Sequence, residues 1–327
     1  MTNQAKVLVL GATGGIGGEL TRQLLHANWQ VCAMTRNLSR AKQSQAGVQW
    51  MKGDALNASQ VEAAAQGCDV IIHAVNPPGY KNWEKWVLPM LDNTIAAARK
   101  VGATIVLPGT VYNFGPEVSL QIDENTPQHP QTRKGRIRVQ LEQRLFNYAQ
   151  NGGRVIIVRA GDFFGGQPGN NWFSQGLIKP GQAVSTINNP SQKGTGHQWS
   201  YIPDVAQVMR QLLERRHQLE AFAVYHMAGH WDANGRQMVE TIRDVVLQHS
   251  GKTANIRSFP WGVVKLISPF NATMRELLEM RYLWQRPLQM NNSKLLAELG
   301  EEAHTPLALA VKQTLIGLQC LPAAAPT

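Results

Sequence analysis

The chain has 327 residues and a formal net charge of +10, which is enough for one nucleotide-binding unit and a smaller appendage. Hydrophobic residues make up 43% and charged residues 17%, a globular composition that excludes disorder as the dominant state. The positive excess points to anionic partners (a phosphorylated cofactor, nucleic acid or an acidic membrane surface), while the three separated cysteines, Cys32, Cys68 and Cys320, form no CxxC pair and argue against a zinc or disulfide framework.

In chain order, Val7–Leu10 reads as a strand, Gly18–Ala27 as a helix, and Gln30–Met34 and Val48–Met51 as the next two strands. Ser59–Gln66 reads as a helix and Val70–Ala74 as a strand. A long helix over Trp83–Val101, a strand over Ala103–Leu107, a helix over Arg133–Asn151 and a strand over Arg154–Arg159 follow. Strands that are continuous apolar runs, alternating with helices, predict an α/β fold with a doubly wound parallel sheet covered on both faces. Gly165 to Gly196 reads as loops around a short helix. Pro203–Arg216 is helical, with Asp204 as an N-cap or first-turn acid, and Ala223–Met227 is a late strand. From Asn234 onward helical patterns dominate, broken by Pro260, Pro269, Pro287 and Pro306. No stretch approaches the roughly 20 apolar residues of a membrane span, and no secretory signal core stands at the N-terminus, so a cytoplasmic chain is expected.

The strongest local signal is Gly11-Ala12-Thr13-Gly14-Gly15-Ile16-Gly17-Gly18, placed between a strand and a helix. Glycines there permit a tight turn and close approach of backbone to a pyrophosphate, and the helix start offers unpaired N–H groups and a positive dipole end. GxxGxxG at Gly11, Gly14 and Gly17 resembles the short-chain dehydrogenase/reductase superfamily, specifically its extended and atypical, NAD(P)-dependent epimerase/dehydratase-like branches. Gly53-Asp54-Ala55 resembles the adenine-contacting segment after the third strand, and Val70–Ala74 the fourth strand beside the nicotinamide end. Leu107–Tyr112 resembles the segment carrying the catalytic Ser or Thr, Val158–Gly165 the passage to the substrate region, and Trp199–Val205 a later strand leading into a helix. The resemblance implies a Rossmann domain over 1–165 and 197–229, and a smaller, mostly helical substrate-binding region over 166–196 and 230–327. It further implies cofactor contacts from Gly11, Thr13, Gly14, Gly15, Ile16, Gly17, Asp54, Ala55, His73, Ala74 and Val75. Family members often pair as homodimers through two long helices, here Trp83–Val101 and Arg133–Asn151.

NAD users of the family place Asp or Glu at the end of the second strand to accept from the ribose hydroxyls. Here the sequence is Val31-Cys32-Ala33-Met34-Thr35-Arg36-Asn37, without an acid. Arg36, helped by Asn37 and Arg40, suits a 2′-phosphate, so NADP is expected over NAD.

The family's YxxxK pair departs most. Its helix begins here Thr132-Arg133-Lys134-Gly135-Arg136-Ile137-Arg138, and no tyrosine occurs from Thr132 to Glu142; counting back from Glu142 puts the pair at Lys134 and Arg138. Three readings follow. Lys134 acts as the acid, with Arg133 and Arg138 lowering its pKa by like-charge repulsion. Alternatively Tyr112 or a water supplies the proton while Lys134 and Arg138 bind an anionic substrate, or no turnover occurs. A solvated basic helix face also accounts for the cations. Thr110 matches the Ser/Thr position. On the substrate side stand Asn76, Asn171 and Trp172 within Gly169–Phe173, and His197, which with Trp199 closes over the site. No metal site is expected. Met274–Trp284 reads as core or lid packing, and Trp261–Phe270 as apolar enough for an interfacial contact. Together these predict an NADP-dependent oxidoreductase or epimerase/dehydratase-like enzyme acting on a small carbonyl or sugar-like substrate through a non-standard proton donor. The alternative is a non-catalytic NADP-binding redox sensor with a protein partner. Nucleic acid is not an expected partner, because no binding motif accompanies the charge.

Overall fold

A computed structural model describes residues 4–42, 45–77, 83–166 and 171–322, without the side chains of Arg40, Lys42 and Ala272. The central sheet uses β1 (Lys6–Leu10), β2 (Gln30–Thr35), β3 (Gln49–Lys52), β4 (Val70–His73), β5 (Thr104–Gly109), β7 (Arg154–Arg159) and β11 (Phe222–His226). A short β6 (Gln121–Ile122) lies outside it. The strand order is β11-β7-β5-β4-β1-β2-β3 and every pairing is parallel. The doubly wound sheet expected from the sequence is therefore present, with its order reversing between β1 and β4.

The apolar runs explain why both faces are covered. In β1, Leu8 and Leu10 enter one core with Ile71, Ile105 and Ile157, and Val7 and Val9 enter the other with Ile72, Val106 and Ile156. The first core is roofed by α3 (Ala58–Ala65), α4 (Trp83–Val101) and α5 (Arg133–Gln150); the second by α1 (Gly15–His26) and α6 (Ile202–Glu214). A single helical turn, α2 (Leu38–Lys42), follows β2. Helix α1 starts at Gly15, three residues before the expected Gly18, because Gly14 caps it and the Gly18 N–H already donates to the Gly14 carbonyl at 2.8 Å.

Past the sheet, β8 (Asp162–Phe164), β10 (His197–Tyr201) and β12 (His230–Asp232) form a three-stranded sheet, and β9 (Thr186–Asn189) pairs with β13 (Asn255–Ser258). β6 pairs with β14 (Gln289–Met290). Helices α7 (Gln237–Ser250), α8 (Trp261–Ile267), α9 (Ala272–Glu279), α10 (Ser293–Leu299) and α11 (Leu307–Gly317) complete the chain. The C-terminal part thus contains short strands that the helical reading from Asn234 onward omitted, as did the loop reading for β9. These strands run only two to four residues, too few for a period of two to stand out. A third core joins α7 and α11 to Phe164, Trp199 and Trp284. Asp204, in the first turn of α6, accepts from the Thr305 backbone N–H at 2.8 Å and hydroxyl at 2.7 Å. It acts as a long-range clamp and not as an N-cap.

Candidate functional site

Sites in doubly wound sheets lie outside the carboxyl ends of the strands, where the order reverses. That crevice falls between Gly11 after β1 and Ala74 after β4, whose N–H donates to the Leu10 carbonyl at 2.9 Å. Gly11 has φ +96°, and a Cβ there would stand 2.4 Å from the Ala74 carbonyl oxygen; a Cβ on Gly17 would stand 2.3 Å from that of Gly11. Both positions require glycine. Thr13 and Gly14 are exposed at the crest of the loop, with Gly15 and Ile16 half-buried behind them. The first turn of α1 has neither a side-chain cap nor an acid, so its N–H groups and dipole end face the crevice as a dinucleotide pyrophosphate needs.

The neighbouring loops fit the same group. Arg36 and Asn37 are exposed at the end of β2, and the Asn37 N–H donates to Thr35 Oγ1 at 3.2 Å. The Arg40 side chain lies outside the described residues. After β3, Asp54 folds back as a turn, its Oδ1 accepting from the Leu56 N–H at 3.0 Å. Ala55 is buried, and its carbonyl accepts from Asn93. At the end of β4, His73 is fully buried and donates from Nδ1 to Thr94 Oγ1 at 2.8 Å, since that hydroxyl itself donates to the Met90 carbonyl. Burial first, and the nearby Arg138 guanidinium second, push its pKa down to about 3, so it is a neutral wall of the site. Val75 is half-buried and Asn76 exposed beyond it.

A cavity of about 40 Å³ opens where β5 and β7 end, walled by Thr110, Tyr112, Gly161, Asp162, Asn171 and Trp172. Thr110 caps the turn Val111–Asn113, accepting from the Tyr112 N–H at 3.4 Å. Gly135 lets α5 approach this turn, since a Cβ there would stand 2.3 Å from the Tyr112 carbonyl oxygen. Asp162 Oδ2 lies 2.9 Å from His197 Nε2, and His197 Nδ1 lies 3.2 Å from the Leu283 carbonyl oxygen. The His197 ring stacks on Trp284, with centroids 3.7 Å apart and planes 10° from parallel. His197 is therefore a fixed pillar behind Asp162 and not a closing flap. Asn171 is spent on the turn Phe173–Leu177, accepting from Ser174 N–H at 2.9 Å. Trp172 is buried against Trp284, Phe259 and Trp261. Residues 167–170 of the same loop lie outside the described residues.

Helix α5 differs from both expectations about its cations. Lys134 is 1% exposed at its side chain; its Nζ lies 2.7 Å from Glu276 Oε2 and 3.5 Å from Glu279 Oε2, and donates to the Glu276 carbonyl at 2.8 Å. Arg133 pairs with the same Glu276. Lys134 is thus buried against carboxylates from α9 and is not part of an exposed basic helix face. Arg138 points the other way, donating to Asn76 Oδ1 at 3.3 Å and lying over the Trp83 ring at 5.1 Å. One turn on, Glu142 holds Arg159 from β7 and accepts from Gln128, and Arg159 Nη1 lies 2.9 Å from His226 Nε2. This buried network locks α5 to the strand ends that carry the cavity. Sequence reasoning missed Glu276, Glu279 and Arg159 as site supports. The pairing of Asp162 with His197 had no local signal, because 35 residues separate them.

Among the described residues no helix is long and apolar enough to cross a membrane, and no group of three His, Cys, Asp or Glu is placed to hold a metal ion.

Comparison with known proteins agrees with this architecture. Residues 11–148 match the family described as NAD(P)H-binding, and residues 90–275 match the RmlD substrate binding domain. An aspartate-semialdehyde dehydrogenase of Synechocystis sp. is 26% identical over 136 residues, 41% of this chain and 36% of that protein. A 2-alkyl-3-oxoalkanoate reductase of Shewanella oneidensis is 29% identical over 126 residues, 36% of this chain and 32% of that protein. The matched part spans about a third of the length of these curated relatives. Among solved structures, a UDP-glucose 4-epimerase from Brucella ovis in complex with NAD superposes with a TM-score of 0.75 at 14% identity, covering 97% of this chain and 99% of that one. The UDP-Glc/GlcNAc 4-epimerase of Campylobacter jejuni gives 0.71 at 15% identity, covering 96% and 99%. At such identities the structures establish the fold. With a nucleotide-binding match in its first half and the second match spanning more than half of its length, the chain belongs to the RmlD substrate binding domain family, within the NAD(P)-dependent epimerase/dehydratase branch of the extended short-chain dehydrogenase/reductase superfamily.

Proposed function

We propose that this protein is an NADP-dependent oxidoreductase acting on a small carbonyl compound, with Thr110 and Tyr112 at the reacting oxygen. The observation that supports the reading is the cavity where β5 and β7 end, which is lined by both Thr110 and Tyr112. A nicotinamide held in the crevice by Gly11–Gly17 would supply or accept hydride. Thr110 holds the substrate oxygen, and the Tyr112 hydroxyl passes the proton that Lys134, sealed under α9, is not placed to pass. Arg138 and Asn76 border the nicotinamide end, and Asn171, Trp172 and His197 shape the substrate side. The cavity beside Thr110 and Tyr112 is small, about 40 Å³, which suits a carbonyl group at that point. The reductase name of one curated relative supports the same chemistry.

The preference for NADP rests on Arg36, exposed where NAD users carry an acid. Asp54 and Ala55 complete the adenine end in this reading. Residues 1–165 with 197–229 serve the cofactor, and 166–196 with 230–327 serve the substrate. A cytoplasmic homodimer through the outer faces of α4 and α5 fits the family habit.

The test is loss of reduced-nicotinamide absorbance with NADPH across a panel of ketones, aldehydes and nucleotide sugars. Turnover on a carbonyl compound is expected, and Tyr112→Phe should lower it by about 10²–10⁴-fold with NADPH affinity unchanged. Tight NADPH binding with no turnover on any member would instead favour the redox-sensor reading, and full turnover by Tyr112→Phe would reassign the proton donor.

A further inference from the structure

Helix α8 and the turn after it expose an apolar ridge. Leu266 is 76% exposed, Phe270 93%, Val263 53% and Ile267 40%; their spacing of three and four residues puts them on one face. The Phe270 N–H donates to the Ile267 carbonyl at 3.0 Å, which keeps Phe270 in line with the helix. Of the seven residues of α8, only Val264 is buried. Large apolar side chains this exposed on neighbouring turns mark a contact surface.

The charge around the ridge selects its partner. Residues 251–290 contain six cations, Lys252, Arg257, Lys265, Arg275, Arg281 and Arg286, and two acids, Glu276 and Glu279. Both acids turn inward onto Arg133 and Lys134 of α5. Lys265, Arg257 and Arg275 are exposed, and the Arg281 guanidinium lies 5.1 Å from the centre of the Trp261 ring at the start of α8. The outward charge of this segment is therefore cationic, with apolar side chains projecting from it. A protruding ridge of four side chains offers on the order of a few hundred Å², short of the ~800 Å² per partner of a stable protein interface. It is sufficient for insertion among headgroups when cations add their attraction.

We propose that Val263, Leu266, Ile267 and Phe270 dip into the surface of an anionic phospholipid bilayer, with the exposed Lys265 and Arg275 adding attraction to its headgroups. The contact is peripheral and reversible, and it brings α9, the cover of Lys134, to the membrane surface. It does not depend on the cofactor or on the reaction proposed above.

The test is flotation of the full chain with vesicles of phosphatidylcholine alone or of phosphatidylcholine and phosphatidylglycerol in equal parts. The protein should float with the anionic vesicles and not with the neutral ones, and raised salt should release it. Leu266→Asp with Phe270→Asp, both on exposed positions, should lower the bound fraction at least tenfold with an unchanged melting temperature. Lys265→Glu with Arg275→Glu should do the same. Failure of the parent chain to float with anionic vesicles would overturn the proposal, as would unchanged flotation of the Leu266/Phe270 variant. A parent dimer that this variant splits into monomers would assign the ridge to a second copy and overturn it equally.

Discussion

Arg36 and Lys134 are both cations of a strongly basic chain, and the fold treats them in opposite ways. Arg36 directly follows β2 and stays exposed, with its nearest neighbours Thr35 and Asn37 tied to each other. Lys134 is enclosed, with two carboxylates from a helix about 140 residues later in the chain. The first is available to an anion that arrives from solution. The second is already neutralised by the protein. Cations clustered in sequence therefore say where positive charge is placed, and the distant partners decide whether it is free to act.

Lys134→Met should have the largest effect. It removes the cation that the buried Glu276 and the half-buried Glu279 share and leaves Glu276 with Arg133 alone, and breaking a buried pair costs up to about 3–5 kcal/mol. Denaturant unfolding measures this, and adding Glu276→Leu should recover part of the loss. If Lys134→Met keeps full stability and abolishes turnover alone, the lysine is an active group and the contrast with Arg36 collapses.

Acid should reveal the histidines beside the same helix. Burial first, then Arg138, lowers His73 to about 3, and burial first, then Arg159, lowers His226 to about 3. The unfolded imidazole takes its proton near pH 6.5. The folded value is the lower one, so these groups cost nothing above about pH 6.5 and stability is lost as pH falls toward about 3. Each should remove about 2 kcal/mol by about pH 5. Melting temperatures across that range should fall, and His73→Phe should flatten the profile; an equally steep profile in that variant would show that other groups drive the loss.

Arg36→Asp should weaken NADPH binding by about 1.5–3 kcal/mol, the worth of charge-assisted hydrogen bonds, and leave NADH binding nearly unchanged or improved. Titration calorimetry separates the two. Equal losses for both cofactors would remove the 2′-phosphate role. Salt should give the smallest effect: raising it weakens NADPH binding a few-fold through the exposed Arg36 and barely shifts the melting temperature through the enclosed Lys134.

The cofactor half was legible because its signals are local. The glycines from Gly11 to Gly17 serve one turn and one close approach, and the apolar run Val7–Leu10 feeds both cores directly. The missing tyrosine in the first turns of α5 was equally plain. What replaced its surroundings was not, since Glu276 and Glu279 sit in a stretch whose helical periodicity looks like ordinary packing. Strand β10, His197–Tyr201, was legible only at its end, through the resemblance of Trp199–Val205, for another reason. All five residues are buried, yet its sequence His-Gln-Trp-Ser-Tyr is too polar to read as a core strand. Gln198 explains the discrepancy: it donates to the carbonyls of Met227 and Ala228 and accepts from the Met290 N–H, so its amide is satisfied inside the protein.

The partnership of Lys134 with α9 also sets an order of events during synthesis. The Glu276 carbonyl that Lys134 contacts lies 142 residues downstream. At translation rates of about 5–20 residues per second, on the order of ten seconds pass between the two. Through that interval α5 docks on the nascent sheet with its lysine still wet, and only arrival of α9 dries and neutralises it. The nucleotide-binding half can therefore collapse early, whereas the surroundings of its most altered helix are finished last.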